Sequence, residues 1–560
     1  MISIEVKKSK FMPGDYSLYL SFPYNEEILN IIRAFPNRSW HKQQKQWEVP
    51  LDMLEELLDI FSNQDIDIYG KYVDLTPREE VTSIDFDFKT KPFEHQEESF
   101  LYGMNHDKWF LGDEMGLGKT KQAIDIAVAN KQNRGFQHCL IICGVNGLKW
   151  NWQEEVAIHS NEDAYILGQR TKKRTGELYI GSNKDKLSDV ECLNDNPAYF
   201  IITNVESLRD EKITDELAYM VDSDVINMVI IDEAHKMKST SSQQGKAVLK
   251  LQPEYRLIMT GTPLMNTPLD LYIILRWLGY ERHSFYQFKN YYAVMGGYGG
   301  YEVIGYKHLD ELQHNLDSIM LRRKKEDVLD LPEKTYIDEF VDMLPKQSVI
   351  YKEVKAEVKS NIDMLEISPN PLAEMIRMRQ ATGYTGILSS EVQCSAKLDR
   401  MEELVEDCIS NDRKVVIFSN WTQITDVVYE RLSKQYKILL VTGDTKDEER
   451  QSIKQMYQTD EEHKILVGTI GALGTGFTLT RGTVVIFLDE PWNQSLKEQA
   501  IDRVHRIGQG ENVTIYTLMC KNTIDERIHE LVKKKGQMSD AIVDNDYTKI
   551  SKADIEYLLS

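Results

Sequence analysis

Asp113-Glu-Met-Gly-Leu-Gly-Lys-Thr120 is the stretch of sequence that decides the fold of this chain. It follows the apolar residues 109–111 and leads into a helical pattern that begins at about residue 122. A strand, a glycine-rich turn and a helix in this order predict a phosphate-binding loop. In such a loop the glycines let backbone N–H groups approach the phosphates, Lys119 reaches the β- and γ-phosphates, and Thr120 holds Mg²⁺.

We expect the loop to contact the nucleotide through Met115, Gly116, Leu117, Gly118, Lys119, Thr120 and Lys121. One position departs from the general pattern, because Asp113 stands where its first glycine is expected. Upstream, Gln96 ends the sequence Phe93-Glu-His-Gln96. Its amide is a candidate for paired hydrogen bonds with adenine, which favours ATP over GTP as the nucleotide.

Apolar segments alternate with amphipathic helical patterns on both sides of a central region. The first series of predicted strands is 139–143, 199–203, 228–231 and 257–260, and the second is 415–418, 438–441, 465–468, 484–488 and 513–518. This alternation predicts an α/β fold with parallel sheets covered by helices. We expect a small α+β domain at 1–78, a first lobe at 85–282, a helical insertion and linker at 283–394, a second lobe at 395–535 and a tail at 536–560.

Two carboxylates end one of the predicted strands, in Met228-Val-Ile-Ile-Asp-Glu-Ala-His-Lys236. Ligands of open α/β sheets bind at the carboxyl ends of the strands. We therefore expect Asp232 to hold Mg²⁺ and Glu233 to position or deprotonate the attacking water. Thr260 and Thr262, at the end of another strand, are candidates for sensing the γ-phosphate; a turn with a capping residue is the alternative account of this segment.

A second charged segment, Gln499-Ala-Ile-Asp-Arg-Val-His-Arg-Ile-Gly-Gln509, places Arg503 and Arg506 three positions apart. On a helix, which we expect here, this spacing puts both guanidinium groups on one face. Planar and permanently charged groups of this kind suit a triphosphate. The pattern therefore predicts an ATP site with parts from two distant regions of the chain.

The composition of the 560 residues is that of a globular protein, with 41% hydrophobic and 28% charged residues. There is no signal-peptide pattern and no apolar stretch near the roughly 20 residues that span a bilayer, so we expect a cytoplasmic protein. The net charge of −22 argues against a broad nucleic-acid-binding surface. Any DNA site must be a narrow basic track, and its binding must depend strongly on salt.

Taken together, these motifs resemble those of the Swi/Snf-type ATPases of helicase superfamily two. The resemblance covers about residues 90–535. In chain order its motifs are Phe93-Glu-His-Gln96, Gly112 to Thr120, Asn151-Trp152, Thr203-Asn-Val-Glu-Ser207, Asp232-Glu-Ala-His-Lys236, Thr260-Gly-Thr-Pro-Leu264, Leu321-Arg-Arg-Lys-Lys-Glu-Asp-Val328, Gly471-Ala-Leu-Gly-Thr-Gly-Phe-Thr-Leu479 and the segment from Gln499 to Gln509.

This resemblance implies two RecA-like lobes, one ATP with Mg²⁺, and duplex DNA along which the protein moves, usually without separating the strands. It implies that Arg503 and Arg506 act as arginine fingers and that Gln499 joins their interface with the nucleotide. The DNA contacts that it implies are Trp152, Thr203, Asn204, Asn420, Trp421, Thr469 and Trp492.

The N-terminal region resembles the HARP-type domain that precedes annealing helicases, through Phe35-Pro-Asn-Arg-Ser-Trp-His-Lys-Gln-Gln-Lys-Gln-Trp-Glu-Val-Pro50. That family uses the domain to bind branched or forked DNA. Aromatic and cationic side chains lie close together here, in Trp40, Lys42, Lys45 and Trp47, which suits base stacking and phosphate contact. A β-hairpin whose tryptophans fill a small core accounts for the same pattern.

We therefore expect an ATP-dependent DNA translocase or annealing-type helicase that serves replication, repair or recombination, acting as a monomer on DNA and without a membrane. Replication or recombination proteins are its expected protein partners. Three alternatives remain open: a helicase that separates DNA or RNA strands, the motor subunit of a restriction or defence system, and a fork-binding scaffold that uses ATP only as a switch.

Overall fold

The structure, a computed structural model, describes residues 2–541 except 11–15, 36–37, 62–63, 65, 71–79, 145–147, 175, 177, 238–241, 262–266, 282, 297–301, 364–370, 475–476 and 492–493. The chain forms two compact units. The first consists of Met1–Leu111, Thr120–Thr260 and Pro268–Leu321. The second consists of Gly112–Lys119, Gly261–Thr267 and Arg322–Ser560, so the phosphate loop groups with the second half of the chain.

The first unit begins with a five-stranded sheet. Its strands are β1 Ile2–Lys8, β2 Tyr16–Ser21, β3 Ser39–His41, β4 Gln46–Pro50 and β5 Ile66–Gly70, in the order β3-β4-β2-β1-β5, and its helices are α1 Glu26–Ala34 and α2 Leu54–Ile60. Helix α1 begins after Asn25, whose side chain accepts hydrogen bonds from two backbone N–H groups of the first turn. Alternating residues of the sheet, such as Ile4, Leu18 and Val49, form a small buried core.

The two tryptophans of this domain lie opposite each other on β3 and β4. Trp40 pairs with Trp47 across the strands, and their ring centroids are 5.2 Å apart. Trp47 packs against the core, whereas Trp40 is 46% exposed. The sequence left open whether the tryptophans contact DNA or fill a core. In the hairpin, Trp47 contributes to the core and Trp40 faces solvent.

A seven-stranded parallel sheet forms the rest of the first unit. Its order is β16-β6-β13-β12-β7-β11-β8, and two short antiparallel hairpins, β9–β10 and β14–β15, stand apart from it. The strands are β6 Lys108–Leu111, β7 His138–Cys143, β8 Ala164–Ile166, β9 Gln169–Thr171, β10 Leu178–Ile180, β11 Phe200–Asn204, β12 Ile226–Asp232, β13 Tyr255–Met259, β14 Ala293–Gly296, β15 Glu302–Tyr306 and β16 Met320–Leu321. The helices are α3 Glu94–Asn105, α4 Lys119–Arg134, α5 Leu148–His159, α6 Asn183–Glu191, α7 Glu211–Asp222, α8 Gln243–Val248, α9 Leu271–Leu278, α10 Phe285–Tyr292 and α11 Leu309–Asp317.

The second unit contains a six-stranded parallel sheet in the order β17-β22-β21-β18-β20-β19. Its strands are β17 Lys334–Val341, β18 Val415–Ser419, β19 Ile438–Val441, β20 Ile465–Thr469, β21 Val484–Phe487 and β22 Val513–Cys520. Its helices are α12 Lys325–Val328, α13 Pro345–Asp363, α14 Pro371–Gly383, α15 Ala396–Ser410, α16 Thr422–Leu432, α17 Asp447–Thr459, α18 Ile470–Leu473, α19 Gln494–Ile501 and α20 Ile524–Ala541.

The central strands of both sheets are buried on both faces, which is why they are continuous apolar runs rather than alternating patterns. Every residue of β7, β11 and β18 is buried. The prediction of two parallel sheets covered by helices, with a small α+β domain before them, is confirmed. In the first sheet β12 lies between β13 and β7, so Asp232, Thr260 and Gly144 follow neighbouring strands at one edge.

Candidate functional site

The phosphate loop follows β6 and ends where α4 begins. Gly116 and Gly118 have φ angles of +86° and +75°, a conformation that side chains disfavour. The Lys119 ammonium donates hydrogen bonds to the backbone carbonyls of Asp113 at 2.7 Å and Glu114 at 3.2 Å. The loop thus curls around its own lysine, which places the ammonium on the concave side, where phosphate oxygens bind in loops of this kind.

Asp113, the departure from the general loop pattern, is fully buried against Arg323. The backbone N–H and Nε of Arg323 both donate to Asp113 Oδ1 at 3.1 Å, and Nη2 donates to Oδ2 at 2.6 Å. Glu114 N in turn donates to the Arg323 carbonyl at 3.0 Å. The aspartate therefore anchors the loop through a forked ion pair. No local sequence pattern pairs Asp113 with Arg323, which lies 210 positions away.

The carboxylate of Asp232 is held by two donors at the end of β12. Trp152 Nε1 donates to Oδ2 at 2.9 Å, and the backbone N–H of Glu233 donates to Oδ1 at 2.9 Å. Glu233 has a φ of +52°, a left-handed conformation that is uncommon for residues other than glycine and often marks functional sites. Both carboxylate oxygens therefore have fixed directions.

This arrangement fits the way proteins bind Mg²⁺. The ion commonly takes one or two carboxylates and completes its octahedral shell with water and substrate phosphates. Asp232 is such a carboxylate, and Thr120, whose hydroxyl is the second proposed ligand, lies in the first turn of α4. In the part of the chain that the structure describes, no group of three or more acidic, histidine or cysteine side chains forms a metal cage.

Arg503 and Arg506 do not lie on a helix, so that prediction is wrong. Helix α19 ends at Ile501, and residues 502–508 form successive turns. Arg503 Nε donates to the Gly474 carbonyl at 2.9 Å, and Arg506 Nη1 donates to Thr478 Oγ1 at 3.1 Å. We call residues 502–508 the arginine turn. Contacts with Gly474 and Thr478, rather than helical spacing, therefore orient the two guanidinium groups.

Most of the other residues predicted to contact the nucleotide are buried. Gln96 is buried, and its Oε1 accepts a hydrogen bond from Phe93 N at 3.1 Å at the start of α3. The buried ammonium of Lys121 binds Asp125 at 2.5 Å, and contact of this residue with the nucleotide stays a prediction. Met115, Leu117 and Gln499 are buried. Thr260 is fully buried, and Thr262 lies outside the described residues.

The three DNA contacts implied in the first sheet are also buried. Trp152 is inaccessible to solvent, and Thr203 and Asn204 are almost so. Asn204 Oδ1 accepts a hydrogen bond from Ser207 Oγ at 2.6 Å, within the turn that follows β11. Contact of these residues with DNA stays a prediction. In this structure Trp152 donates a hydrogen bond to Asp232, and Asn204 accepts one within a turn.

The contacts implied in the second sheet lie at its carboxyl edge. Asn420 is exposed, and Trp421 and Thr469 are half-buried. The backbone N–H of Asn420 donates to Asp489 Oδ1 at 2.8 Å, and the guanidinium of Arg379 lies 5.0 Å from the Trp421 ring centroid. Burial raises the pKa of the Asp489 carboxyl, and Arg379 opposes this shift. Trp492 lies outside the described residues.

Comparison with known proteins identifies one family model, the SNF2-related domain, which matches residues 95–465. A Bacillus subtilis protein named as an ATP-dependent helicase/translocase, YwqA, is 25% identical over 80% of this chain and 48% of its own length. An ATP-dependent helicase of Mycoplasma pneumoniae is 26% identical over 78% of this chain and 41% of its own length. The chain thus spans less than half of the length of these two relatives.

A third relative extends further toward the N-terminus. The SWI/SNF-related matrix-associated actin-dependent regulator of chromatin subfamily A-like protein 1 homolog of Caenorhabditis elegans is 25% identical over 95% of this chain and 76% of its own length. Among solved structures, the Sulfolobus solfataricus SWI2/SNF2 ATPase core in complex with dsDNA is 23% identical, covering 86% of this chain and 99% of that chain, with a TM-score of 0.37. At that score the overlay carries no weight, and the fold rests on the two sheets themselves.

None of the helices in the described part of the chain combines the length and the apolar character needed to cross a bilayer.

Proposed function

The chain belongs to the family of the SNF2-related domain, and we propose that it is a DNA-dependent ATPase that uses ATP hydrolysis to move along duplex or branched DNA. One observation carries this proposal. Arg506 of the arginine turn lies against the phosphate loop, since a Cβ on Gly116 would be 3.1 Å from Arg506 Cβ. A motor of this kind requires an arginine beside the nucleotide phosphates that comes from a distant part of the chain.

The residues have separate roles in the proposed reaction. Backbone N–H groups of the loop and the Lys119 ammonium bind the phosphates, and Asp232 and Thr120 would hold Mg²⁺, whose charge neutralises the phosphate oxygens. Glu233 positions the attacking water. Arg503 and Arg506 stabilise the negative charge of the transition state, which contributes on the order of 10³–10⁵ in rate where such fingers are known.

The proposed DNA track follows the carboxyl edge of the second sheet, where Asn420 and Thr469 follow adjacent strands. The protein as a whole is acidic, with a net charge of −22. We therefore expect few phosphate contacts, and binding that weakens steeply as salt rises.

The N-terminal domain supports the branched-DNA part of the proposal. The exposed Trp40 presents an aromatic face, and aromatic side chains stack on unpaired bases irrespective of sequence. Because the alignment with the Caenorhabditis elegans relative covers 95% of the chain, it must include part of this domain. We propose that Trp40 stacks on a base at a fork, and that the protein acts with replication, repair or recombination proteins.

The test measures ATP hydrolysis with single-stranded, duplex and forked DNA. We expect strong stimulation by DNA, and preferential loss of the response to forks in Trp40→Ala. Tyr24→Ala is the matched control, because Tyr24 lies in the same domain and is 84% exposed. Hydrolysis that does not change with any DNA or RNA overturns the proposal.

Further assays separate the proposed motor from its alternatives. A translocase displaces a third strand from a triplex without unwinding a plain duplex, whereas a strand-separating helicase unwinds the duplex. A scaffold keeps its biological role in Lys119→Ala, although this variant loses hydrolysis. A defence motor co-purifies with a nuclease or methylase.

A further inference from the structure

The segment Arg323–Lys324–Lys325 connects the phosphate loop to the arginine turn within the second unit. On one side, Arg323 holds Asp113 through three hydrogen bonds, and Lys325 N donates to Glu114 Oε2 at 2.7 Å. On the other side, the Lys325 ammonium forms an ion pair with Asp502 and donates to the His505 carbonyl at 3.2 Å. The segment belongs to a motif of the sequence to which the proposed reaction gives no role.

We call the segment Arg323–Lys324–Lys325 the bridge, and the ion pairs that it forms on its two sides are buried. The side chains of Lys325 and Asp502 are each only 7% exposed, and Asp113 is inaccessible. A buried charge that loses its partner is strongly destabilising, so the two ion pairs hold fixed positions. The bridge also passes close to the loop backbone, because a Cβ on Gly116 would lie 3.1 Å from Lys325 Cε and 3.4 Å from its Nζ.

We propose that Lys325 is a positioning residue for hydrolysis, which sets the place of Arg506 relative to the phosphate loop by binding Asp502 and the His505 carbonyl. Arg506 directly follows His505 in the arginine turn, so a shift of that carbonyl moves the guanidinium with it. The inference rests on the proposed function. It assigns Lys325 no contact with the nucleotide, and Arg323 the separate task of anchoring the loop.

If Lys325 positions Arg506, its substitution should reduce the rate of ATP hydrolysis rather than the affinity for ATP. A misplacement of about 1 Å costs on the order of 10²-fold in rate even when it arises away from the chemistry. In Lys325→Met of the full chain, kcat for ATP should fall about 10- to 100-fold. The affinity for a fluorescent ATP analogue should change less than threefold, which is about 0.6 kcal/mol.

Lys414→Met is the matched control. Lys414 is also buried in the second unit, and its ammonium donates to the carbonyls of Tyr457 at 2.8 Å and Asp460 at 2.7 Å. It precedes β18, at the edge of the sheet opposite to the strand ends considered above. We expect this variant to lose stability without a selective fall in kcat.

Asp502→Asn keeps the shape of the partner and removes its charge, so it tests the same bridge if Lys325→Met does not fold. The double variant should be no slower than the slower single variant, because both remove one interaction. The inference is overturned if kcat falls no further than in Lys414→Met, if nucleotide affinity falls in parallel with kcat, or if the two single losses multiply. These comparisons are made relative to the hydrolysis rate of the wild-type chain, whether or not DNA stimulates it. A failure of DNA to stimulate hydrolysis overturns the proposed function, and that outcome can be distinguished from a failure of this inference.

Discussion

Trp152 Nε1 donates a 2.9 Å hydrogen bond to Asp232 Oδ2, and the indole that makes this bond is fully buried. The bond joins α5 to the end of β12, within the first unit. A hydrogen bond to a charged group is stronger than one between neutral groups, and it also fixes the direction of the acceptor. The position of α5 and the orientation of the proposed Mg²⁺ ligand are therefore linked.

Trp152→Phe should reduce kcat and raise the Mg²⁺ concentration needed for half-maximal hydrolysis. The substitution keeps most of the buried ring and removes the donor, and a hydrogen bond to a charged group contributes about 1.5–3 kcal/mol. We expect a fall of roughly tenfold in kcat, which corresponds to the lower end of that range. Titration of ATPase activity with Mg²⁺ measures both effects.

Trp150→Phe is the control for this experiment. Trp150 lies on the same helix two positions earlier, and its buried Nε1 has no hydrogen-bond partner among the described residues. Equal Mg²⁺ titrations for the two variants would show that the Trp152 donor does not orient Asp232.

Trp152 and Asp232 illustrate why some features of the structure were predictable from the sequence and others were not. The strands were predictable because β7 and β12 are continuous runs of apolar residues, and such a run is a property of the local sequence. The hydrogen bond from Trp152 to Asp232 was not predictable, because the partner of an indole N–H depends on how α5 packs onto β12. The same packing buries Trp152, which the resemblance implied as a DNA contact.

Long-range pairing also explains the failed helix at the arginine turn. The 499–509 sequence suits a helix up to Ile501, but Gly508 takes a φ of +97° and Gln509 Nε2 donates to the Gly482 carbonyl at 2.8 Å. Burial of Asp502 against Lys325, 177 positions away, adds a further tertiary constraint. Such contacts override helix propensity, which is a weak preference.

Arg506→Ala should leave ATP binding largely intact and remove DNA-stimulated hydrolysis. The guanidinium is proposed to act on charge that develops in the transition state, so its loss should lower kcat by about 10³-fold or more. Nucleotide binding and ATPase assays measured in parallel separate the two effects.

Arg481→Ala serves as the matched control for the arginine turn. Its side chain is 57% exposed and pairs with Glu461 at 2.8 Å on the surface of the same unit. Exposed pairs contribute little, so hydrolysis should remain near the wild-type rate. If Arg506→Ala loses ATP binding as well, the arginine anchors the nucleotide in its ground state.

Asp113→Gly should destabilise the protein, although it restores the glycine of the general loop pattern. The change removes the carboxylate from the buried Arg323 guanidinium, and breaking a buried ion pair costs about 3–5 kcal/mol. Thermal unfolding should show a clear fall in Tm. An unchanged Tm would mean that the loop does not depend on this anchor, and Lys464→Ala, which removes a mainly exposed pair with Asp412, gives the baseline.

His529 provides a prediction about pH. Its Nδ1 lies 2.5 Å from Glu490 Oε2, and its Nε2 lies 3.2 Å from Asp338 Oδ2. The hydrogen bond with Glu490 raises the pKa of His529 above its ordinary value, while burial and Lys497 oppose the shift. A raised folded-state pKa stabilises the protein fully below the unfolded-state pKa, about 6.5, and this contribution disappears as pH rises through the folded-state pKa.

His529→Gln should therefore lower Tm most at acidic pH. Glutamine keeps a polar side chain but cannot carry the charge that Glu490 and Asp338 attract. Measured between about pH 5.5 and 8.5, the difference in Tm between wild type and variant should be largest at the acid end and shrink toward the alkaline end. Because β17, α19 and α20 supply Asp338, Lys497 and His529 respectively, the shrinking difference would report on how firmly these elements are held together. A difference that stays constant with pH would mean that His529 stabilises the fold through packing and neutral hydrogen bonds, and that its charge contributes nothing.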